Sequence, residues 1–274
     1  MTKPFLKWAG GKRWLAPRIA GLLQIKKGGR YVEPFLGSGA VFFAVRPAMA
    51  ILADINEELI LAFQAIQEHP DYVVRSLSHR RINVTDFEKM RRSAPTTPLD
   101  RAVRMLYLNR TAFNGLFRVN QQGFFNVPFG CKPGTKLCDP ANIRAASVAL
   151  QNATLSISDF RDTLRNIRST DAVYVDPPYT VRHDNNGFRR YNEQIFSWQD
   201  QVDLASLLND LASNGVAVIV SNAVHHEVRK LYAPRLFRAV EVRRPSQMAA
   251  NVKYRGPCRE LLLFSAAVTS ESLE

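Results

Sequence analysis

An apolar run that stops abruptly at an acid and two prolines leaves a chain few options. Residues 172 to 179 are such a run, reading Ala-Val-Tyr-Val-Asp-Pro-Pro-Tyr. Both prolines lack an N–H and fix their own φ, so the segment beyond Val175 can neither continue as a central strand nor enter a helix interior. The chain must leave its sheet there, which puts Asp176 at a strand end, the place where open α/β sheets bind ligands. The Asp176 carboxylate, the Pro177 carbonyl and the Tyr179 ring could converge on one planar, amino-bearing group such as a nucleobase. Taken alone, the tetrapeptide fits an ordinary loop after a strand equally well.

A second motif narrows the choice. Residues 31 to 43, Tyr-Val-Glu-Pro-Phe-Leu-Gly-Ser-Gly-Ala-Val-Phe-Phe, run from a short strand through a Gly-Ser-Gly turn into an apolar segment of helical character. Glycines at 37 and 39 permit positive φ and let a ligand approach the backbone. In dinucleotide register the third glycine position is Phe42, too bulky for a pyrophosphate site. Gly10-Gly11-Lys12 is no P-loop either, because Leu6 stands at its first glycine position and Arg13 replaces Ser or Thr. Farther on, Ile51-Leu52-Ala53-Asp54 ends a strand in an acid able to accept both hydroxyls of a ribose. The combination suits an adenosine cofactor without phosphates.

Together these motifs resemble the Dam-type DNA adenine-N6 methyltransferases, the alpha group of the D12 class. The likeness spans nearly the whole chain: Phe5-Leu-Lys-Trp-Ala-Gly-Gly-Lys12, Phe35-Leu-Gly-Ser-Gly39, the segment Asn109 to Gly130, Asp176-Pro-Pro-Tyr179, Ser221-Asn222 and Val242-Arg-Arg-Pro-Ser-Gln247 occur in family order. The resemblance implies a Rossmann-like α/β methyltransferase sheet that binds S-adenosylmethionine. Residues 1–56 and 145–274 would form this catalytic domain. Residues 57–144 would be an inserted target-recognition domain, helical with a β-hairpin.

Composition agrees. Lys and Arg total 37 against 24 Asp and Glu, a net charge of +13 that calls for a polyanionic partner. The cysteines, Cys131, Cys138 and Cys258, make no even framework, and no Cys-x-x-Cys or His cluster offers metal ligands, so a reducing compartment and a metal-free site are expected. Neither a signal core nor a membrane-length apolar stretch is present. The expectation is a cytoplasmic, bacterial or phage-encoded monomer acting on double-stranded DNA. Whether a cognate restriction endonuclease acts on the same site, without a stable complex, stays open.

Apolar runs at 31–33, 49–53, 153–157, 172–175, 216–220 and 236–242 read as strands, and 57–68 and 199–212 as helices between them, which predicts a mostly parallel sheet. Glu260 to Phe264 reads as an edge or hairpin strand. The basic stretch 71–140 breaks this rhythm, with helices near 85–92 and 98–109 and a hairpin turning at Asn120-Gln-Gln-Gly123.

A two-stranded ribbon fits the major groove, where a guanidinium donates to both acceptors of guanine. Arg118 is the candidate for that role, the competing reading being a phosphate clamp or a surface charge. By resemblance Asn114, Leu116, Asn120, Pro128 and Lys132 add DNA contacts, and the site is GATC. Relatives of GATATC type share the Asn-Gly-Leu-x-Arg core, and Cys131-Lys132 depart from the Arg-aromatic pair expected of GATC enzymes, so a longer site beginning with GAT is the rival. Arg189 and Tyr191, in a flap near 188–191, together with Arg243, Arg244, Ser246 and Gln247, would grip DNA.

Asp176, Pro177, Pro178 and Tyr179 form the catalytic set. Adenine's amine is a poor nucleophile buried in the duplex, so the base must be flipped out. Asp176 and the Pro177 carbonyl would accept its two hydrogens and Tyr179 would stack on the ring. For the cofactor the resemblance implies Trp8, Lys12, Phe35, Gly37, Gly39, Asp54, Asp159 and Asp176. Trp8 reads alternatively as core, Lys12 as surface charge, and Asp159 as the N-cap of a helix beginning near Arg161. Two other functions compete: methylation of another planar amine, which the acid at 176 disfavours, and a non-catalytic DNA-binding regulator of the same fold.

Overall fold

The computed structural model describes residues 2–120, 122–131, 133–179, 196–244 and 258–268, with backbone only at 244 and 258. Among them are seven strands and ten α-helices. The chain divides into two compact units, one of Met1–Pro17 and Leu36–Ser158, the other of Arg18–Phe35 and Asp159–Glu274. Helix α1 (Ala16–Leu22) carries the chain from the first to the second, where β1 (Tyr31–Glu33) follows.

In the first unit α2 (Ala40–Val45) leads to β2 (Ala50–Asp54), which pairs in parallel with β3 (Ala153–Ile157) so that Asp54 stands opposite Ile157. The helices between these strands begin where side chains satisfy their unpaired N–H groups. Asn56 accepts the Leu59 N–H to start α3 (Glu57–Glu68), and Asn83 accepts the Asp86 N–H to start α5 (Val84–Arg92). Thr97 caps α6 (Pro98–Thr111) and Asp139 caps α7 (Pro140–Leu150), each followed by a proline at the first helical position. Helix α4 (Pro70–Ser78) was not anticipated in the basic stretch. Its buried stripe of Val73, Val74 and Leu77 is short and flanked by charge, so the helical period is faint. Helices α3 and α6 are clasped by Arg101, whose Nη2 lies 2.7 Å from both Glu57 Oε2 and Glu58 Oε1.

In the second unit the strand order is β1-β4-β5-β7-β6, with β4 (Ala172–Val175), β5 (Ala217–Ala223), β6 (Phe237–Arg244) and β7 (Cys258–Ser265). Strand β4 is parallel to both β1 and β5, whereas β7 is antiparallel to both β5 and β6. Strand β7 therefore forms a hairpin with β6 without being an edge. Leu261 to Phe264 are buried without alternation, which requires cover on both faces, while β6 has the mixed exposure of an outer strand. Helices α8 (Phe160–Thr163), α9 (Trp198–Ser213) and α10 (His226–Leu231) complete the unit. A Ser197–Asp200 capping box starts α9.

Asp171 joins the starts of β1 and β4. Its buried carboxylate accepts the Arg30 N–H at 2.8 Å, Arg30 Nη2 at 2.6 Å and the Arg168 N–H at 2.9 Å. Next to it the Ala172 N–H donates to Arg30 O at 2.9 Å, setting the β1–β4 register. Burial pushes this carboxyl up, but the hydrogen bonds from Arg30 and Arg168 outweigh it and hold the pKa at about 2. A carboxyl with a depressed folded-state pKa stabilises the fold above its unfolded value and loses that contribution as pH falls through the folded value. Asp171→Asn should therefore cost about 2–3 kcal/mol near neutral pH. In urea unfolding the gap between wild type and variant should shrink as the pH is lowered toward about 2; a gap independent of pH would contradict this account.

Candidate active site and DNA-reading surface

In the first unit the end of β2 and the Gly-Ser-Gly turn meet. Leu36 N–H donates to Ala53 O at 2.9 Å, which brings the Gly37 N–H within 3.1 Å of Asp54 Oδ2. Asp54 Oδ1 accepts the Asn56 N–H at 3.0 Å. Burial pushes the Asp54 carboxyl above its ordinary value, against the backbone N–H groups of Asn56, Gly37 and Ile55 that draw it down. Each oxygen retains acceptor capacity, so two hydroxyls could be received together.

Gly37 has φ 48, and a Cβ there would lie 2.9 Å from Trp8 Cδ1. Only glycine combines that backbone with so close an indole. Gly39 instead faces the core, where a Cβ would come within 3.3 Å of the Phe63 ring. The loop after Trp8 lies on the same turn, since a Cβ at Gly11 would sit 3.4 Å from Ser38 Oγ. Trp8 is half-buried rather than core, and Lys12 is buried rather than a surface charge, with Nζ donating to Gly10 O at 3.0 Å. Trp8, Lys12, Gly37 and Asp54 are thus brought together. Ile55, 62% exposed directly after Asp54, adds an apolar surface suited to a flat ring. Its place after a strand-terminal acid was the signal that could have marked it.

In the second unit Asp176 follows β4, with Pro177 buried and Asp176, Pro178 and Tyr179 half-buried. The Tyr179 hydroxyl lies 3.5 Å from Asp176 Oδ1, beyond a strong O–H···O bond. Phe35 packs against Phe160, ring centroids 5.6 Å apart and nearly parallel, and edge-on against Phe196 at 5.6 Å. Phe160 and Phe196 were not singled out from sequence, because neither belongs to a recurring motif. Asp159 caps α8, its Oδ1 accepting the Arg161 N–H at 2.8 Å. Arg161 also reaches Asp200 and Asp203 of α9. Among the described residues no group of three or more His, Cys, Asp or Glu could hold a metal ion, and no helix is long and apolar enough to cross a membrane.

The segment Asn109 to Gly130, also in the first unit, reverses where the sequence indicated but not as a regular ribbon. Antiparallel bridges join Ala112 to Phe129 and Val119 to Phe125. Gly123 N–H donates to Asn120 O at 2.9 Å, and Asn120 Oδ1 accepts the Gln122 and Phe124 N–H groups at 3.0 and 2.9 Å. The ladder is interrupted because Asn114 and Gly115 both have positive φ, 56 and 66. Asn114, Arg118, Asn120 and Pro128 are exposed and Leu116 half-exposed. Arg118 Nε donates to Asn126 Oδ1 at 2.8 Å, a partner the sequence reading missed. Arg243 is exposed on β6, opposite Arg259. Lys132, Arg189, Tyr191, Ser246, Gln247 and the Arg244 side chain lie outside the described residues.

This arrangement has counterparts among known proteins. The family model of D12 class N6 adenine-specific DNA methyltransferases matches residues 8–248. The type II methyltransferase M1.LlaDCHI of Lactococcus lactis subsp. cremoris is 34% identical over 271 residues, covering 95% of this chain and 94% of its own. Methanocaldococcus jannaschii M.MjaIII, another type II methyltransferase, is 31% identical over 244 residues, covering 81% and 84%. The DNA adenine methylase of Escherichia coli K12 is 32% identical over 278 residues, covering 98% of each chain. A match running from Trp8 past the last residues of β6, and taking in both the acid that ends β2 and the Asp-Pro-Pro-Tyr after β4, establishes that this chain belongs to the D12 class of N6 adenine-specific DNA methyltransferases.

Proposed function

We propose that the chain transfers a methyl group from S-adenosylmethionine to the N6 nitrogen of an adenine flipped out of a short duplex DNA site, and that the site is GATC. The observation that supports this most is Asp176 at the end of a parallel strand, followed by two prolines and a tyrosine whose hydroxyl lies 3.5 Å from its carboxylate. Bound S-adenosylmethionine supplies a methyl carbon made electrophilic by its sulfonium. Asp54 accepts the ribose hydroxyls, with Trp8, Lys12 and the Gly37 backbone lining the pocket and Ile55 offering a face to a ring. Phe35 and Asp159 serve the adenosine end. Gly39 acts indirectly, by keeping the turn close to Phe63.

Asp176 Oδ and the Pro177 carbonyl accept the two amine hydrogens of the target and draw its lone pair toward the methyl carbon. Tyr179 stacks on the extruded base, and Pro178 stiffens the loop that carries it. Holding the two reactants at attack distance supplies several kcal/mol of the acceleration. Asp176 orients the amine in this scheme whether or not it also takes the proton. Residues 57–144 form the functional target-recognition domain and the flanking segments the catalytic one. Arg118 reads guanine, Asn114, Leu116, Asn120 and Pro128 contact neighbouring positions, and Lys132, Arg189, Tyr191, Arg243 and Arg244 serve the DNA backbone. A longer site beginning with GAT is the second reading, favoured by Cys131-Lys132 standing where an Arg-aromatic pair is expected of GATC enzymes.

Sequencing plasmid DNA from a methylation-free host that expresses this chain, scored for N6-methyladenine in every context, tests the proposal. Methylation confined to GATC supports it, a longer GAT site revises the reader alone, and no methyladenine from folded protein rejects it. Asp176→Ala should abolish methylation yet leave duplex affinity within a few-fold; normal turnover would remove Asp176 from the mechanism. Arg118→Ala should relax discrimination at guanine by about 1–3 kcal/mol. If it instead weakens binding to all sequences alike, Arg118 is a phosphate contact. Gly37→Ala should weaken S-adenosylhomocysteine binding in calorimetry, since the left-handed backbone alone costs alanine about 1–2 kcal/mol and the new Cβ meets Trp8; unchanged affinity would place the cofactor elsewhere.

A further inference from the structure

Asn109, near the end of α6, is fully buried, and its amide is spent on backbone atoms of two other segments. Oδ1 accepts the Lys7 N–H at 3.0 Å, while Nδ2 donates to Lys7 O at 2.7 Å and to Gly115 O at 2.9 Å. One side chain thus pairs with Lys7 as a neighbouring strand would, and with its second donor ties down the loop between Asn114 and Leu116. The loop has no slack at this point. A Cβ on Gly115 would stand 2.4 Å from Lys7 Cδ, so the lysine stem lies directly on the glycine.

Trp8, next after Lys7, and Phe117, two residues after Gly115, make a second tie. Trp8 stacks with Phe117, centroids 6.3 Å apart at 18°. Phe117 packs in turn on Phe125 across the ribbon at 5.4 Å, and the Trp8 ring also meets the Gly37 turn at its Cδ1 edge. All of these contacts lie within the first unit.

We propose that Asn109 and Phe117 are positioning residues for sequence discrimination. They hold Asn114, Leu116 and Arg118 at a set distance from the N-terminal segment that packs on the cofactor turn. Neither touches DNA in this account. Leaving an amide group unmatched against three buried backbone groups would let the loop shift, and a reader displaced by a fraction of an ångström loses hydrogen bonds to base edges before it loses contact with phosphates. The inference rests on the proposed reading of the Asn114–Arg118 segment.

The test uses full-length Asn109→Asp, which keeps the shape but loses both donors when ionised, and Phe117→Leu, which removes the ring from a half-exposed position and so does not threaten the core. For each, kcat/KM is measured on the wild type's own mapped site and on duplexes with each base pair replaced singly. The ratio between two substrates does not depend on how much enzyme is active, so a purely structural role cannot move it. Discrimination should fall about tenfold at one or two base pairs, with S-adenosylhomocysteine affinity weakened several-fold in Phe117→Leu through Trp8. Unchanged ratios in Phe117→Leu, or in folded Asn109→Asp, overturn the role of that residue. A wild type that methylates adenine with no site preference would instead reject the reader assignment itself.

Discussion

A carboxylate facing backbone N–H groups at the end of a parallel strand organises the first unit. Asp54 accepts the Gly37 N–H in a turn where Gly37 has a positive φ, and a glycine there leaves no Cβ in the space the Trp8 ring occupies. Strand end, turn and N-terminal motif are therefore one constraint expressed three times. Its energetic signature is a carboxyl pushed up by burial in spite of the N–H groups that face it. Such a group is costly to maintain and gains most from donors brought by a ligand.

The second unit is arranged on a similar principle with different means. Asp171 settles the register at the start of β1 and β4, so the other ends of those strands, leading to Phe35 and to Asp176, follow from hydrogen bonds within the protein. Beyond β4 the two prolines remove backbone freedom directly after Asp176. For a member of the D12 class this economy is apt, because methylation of an amine asks the protein for placement more than for acid or base strength.

Much of this was legible because it is local. Strand ends at 54 and 175, the helices that begin near 57 and 98, and the reversal at Asn120-Gly123 each depend on residues a few positions apart. Helix α4 was missed because its apolar stripe is short, and the ribbon was drawn too regular because positive φ at Asn114 is not written in its identity. Asp159 was readable two ways, and the cap it forms is one of them. Strand β7 illustrates a different limit, since four consecutive apolar residues announce burial on both faces but do not name the neighbours.

The sequence by itself determined the α/β class, the points where strands must stop, the glycine turn, and the motifs that carry the family. Only the tertiary structure decided that Lys12 is buried, that Trp8 meets both Gly37 and Phe117, that Arg118 is braced by Asn126, and that Asn109 bonds to a segment 102 residues away. The division has a physical cause. Backbone sterics and short-range hydrogen bonds act within a few residues and leave a periodic trace, whereas a buried amide or ring takes its partners from whatever the packed core brings to it, and that choice has no period to read.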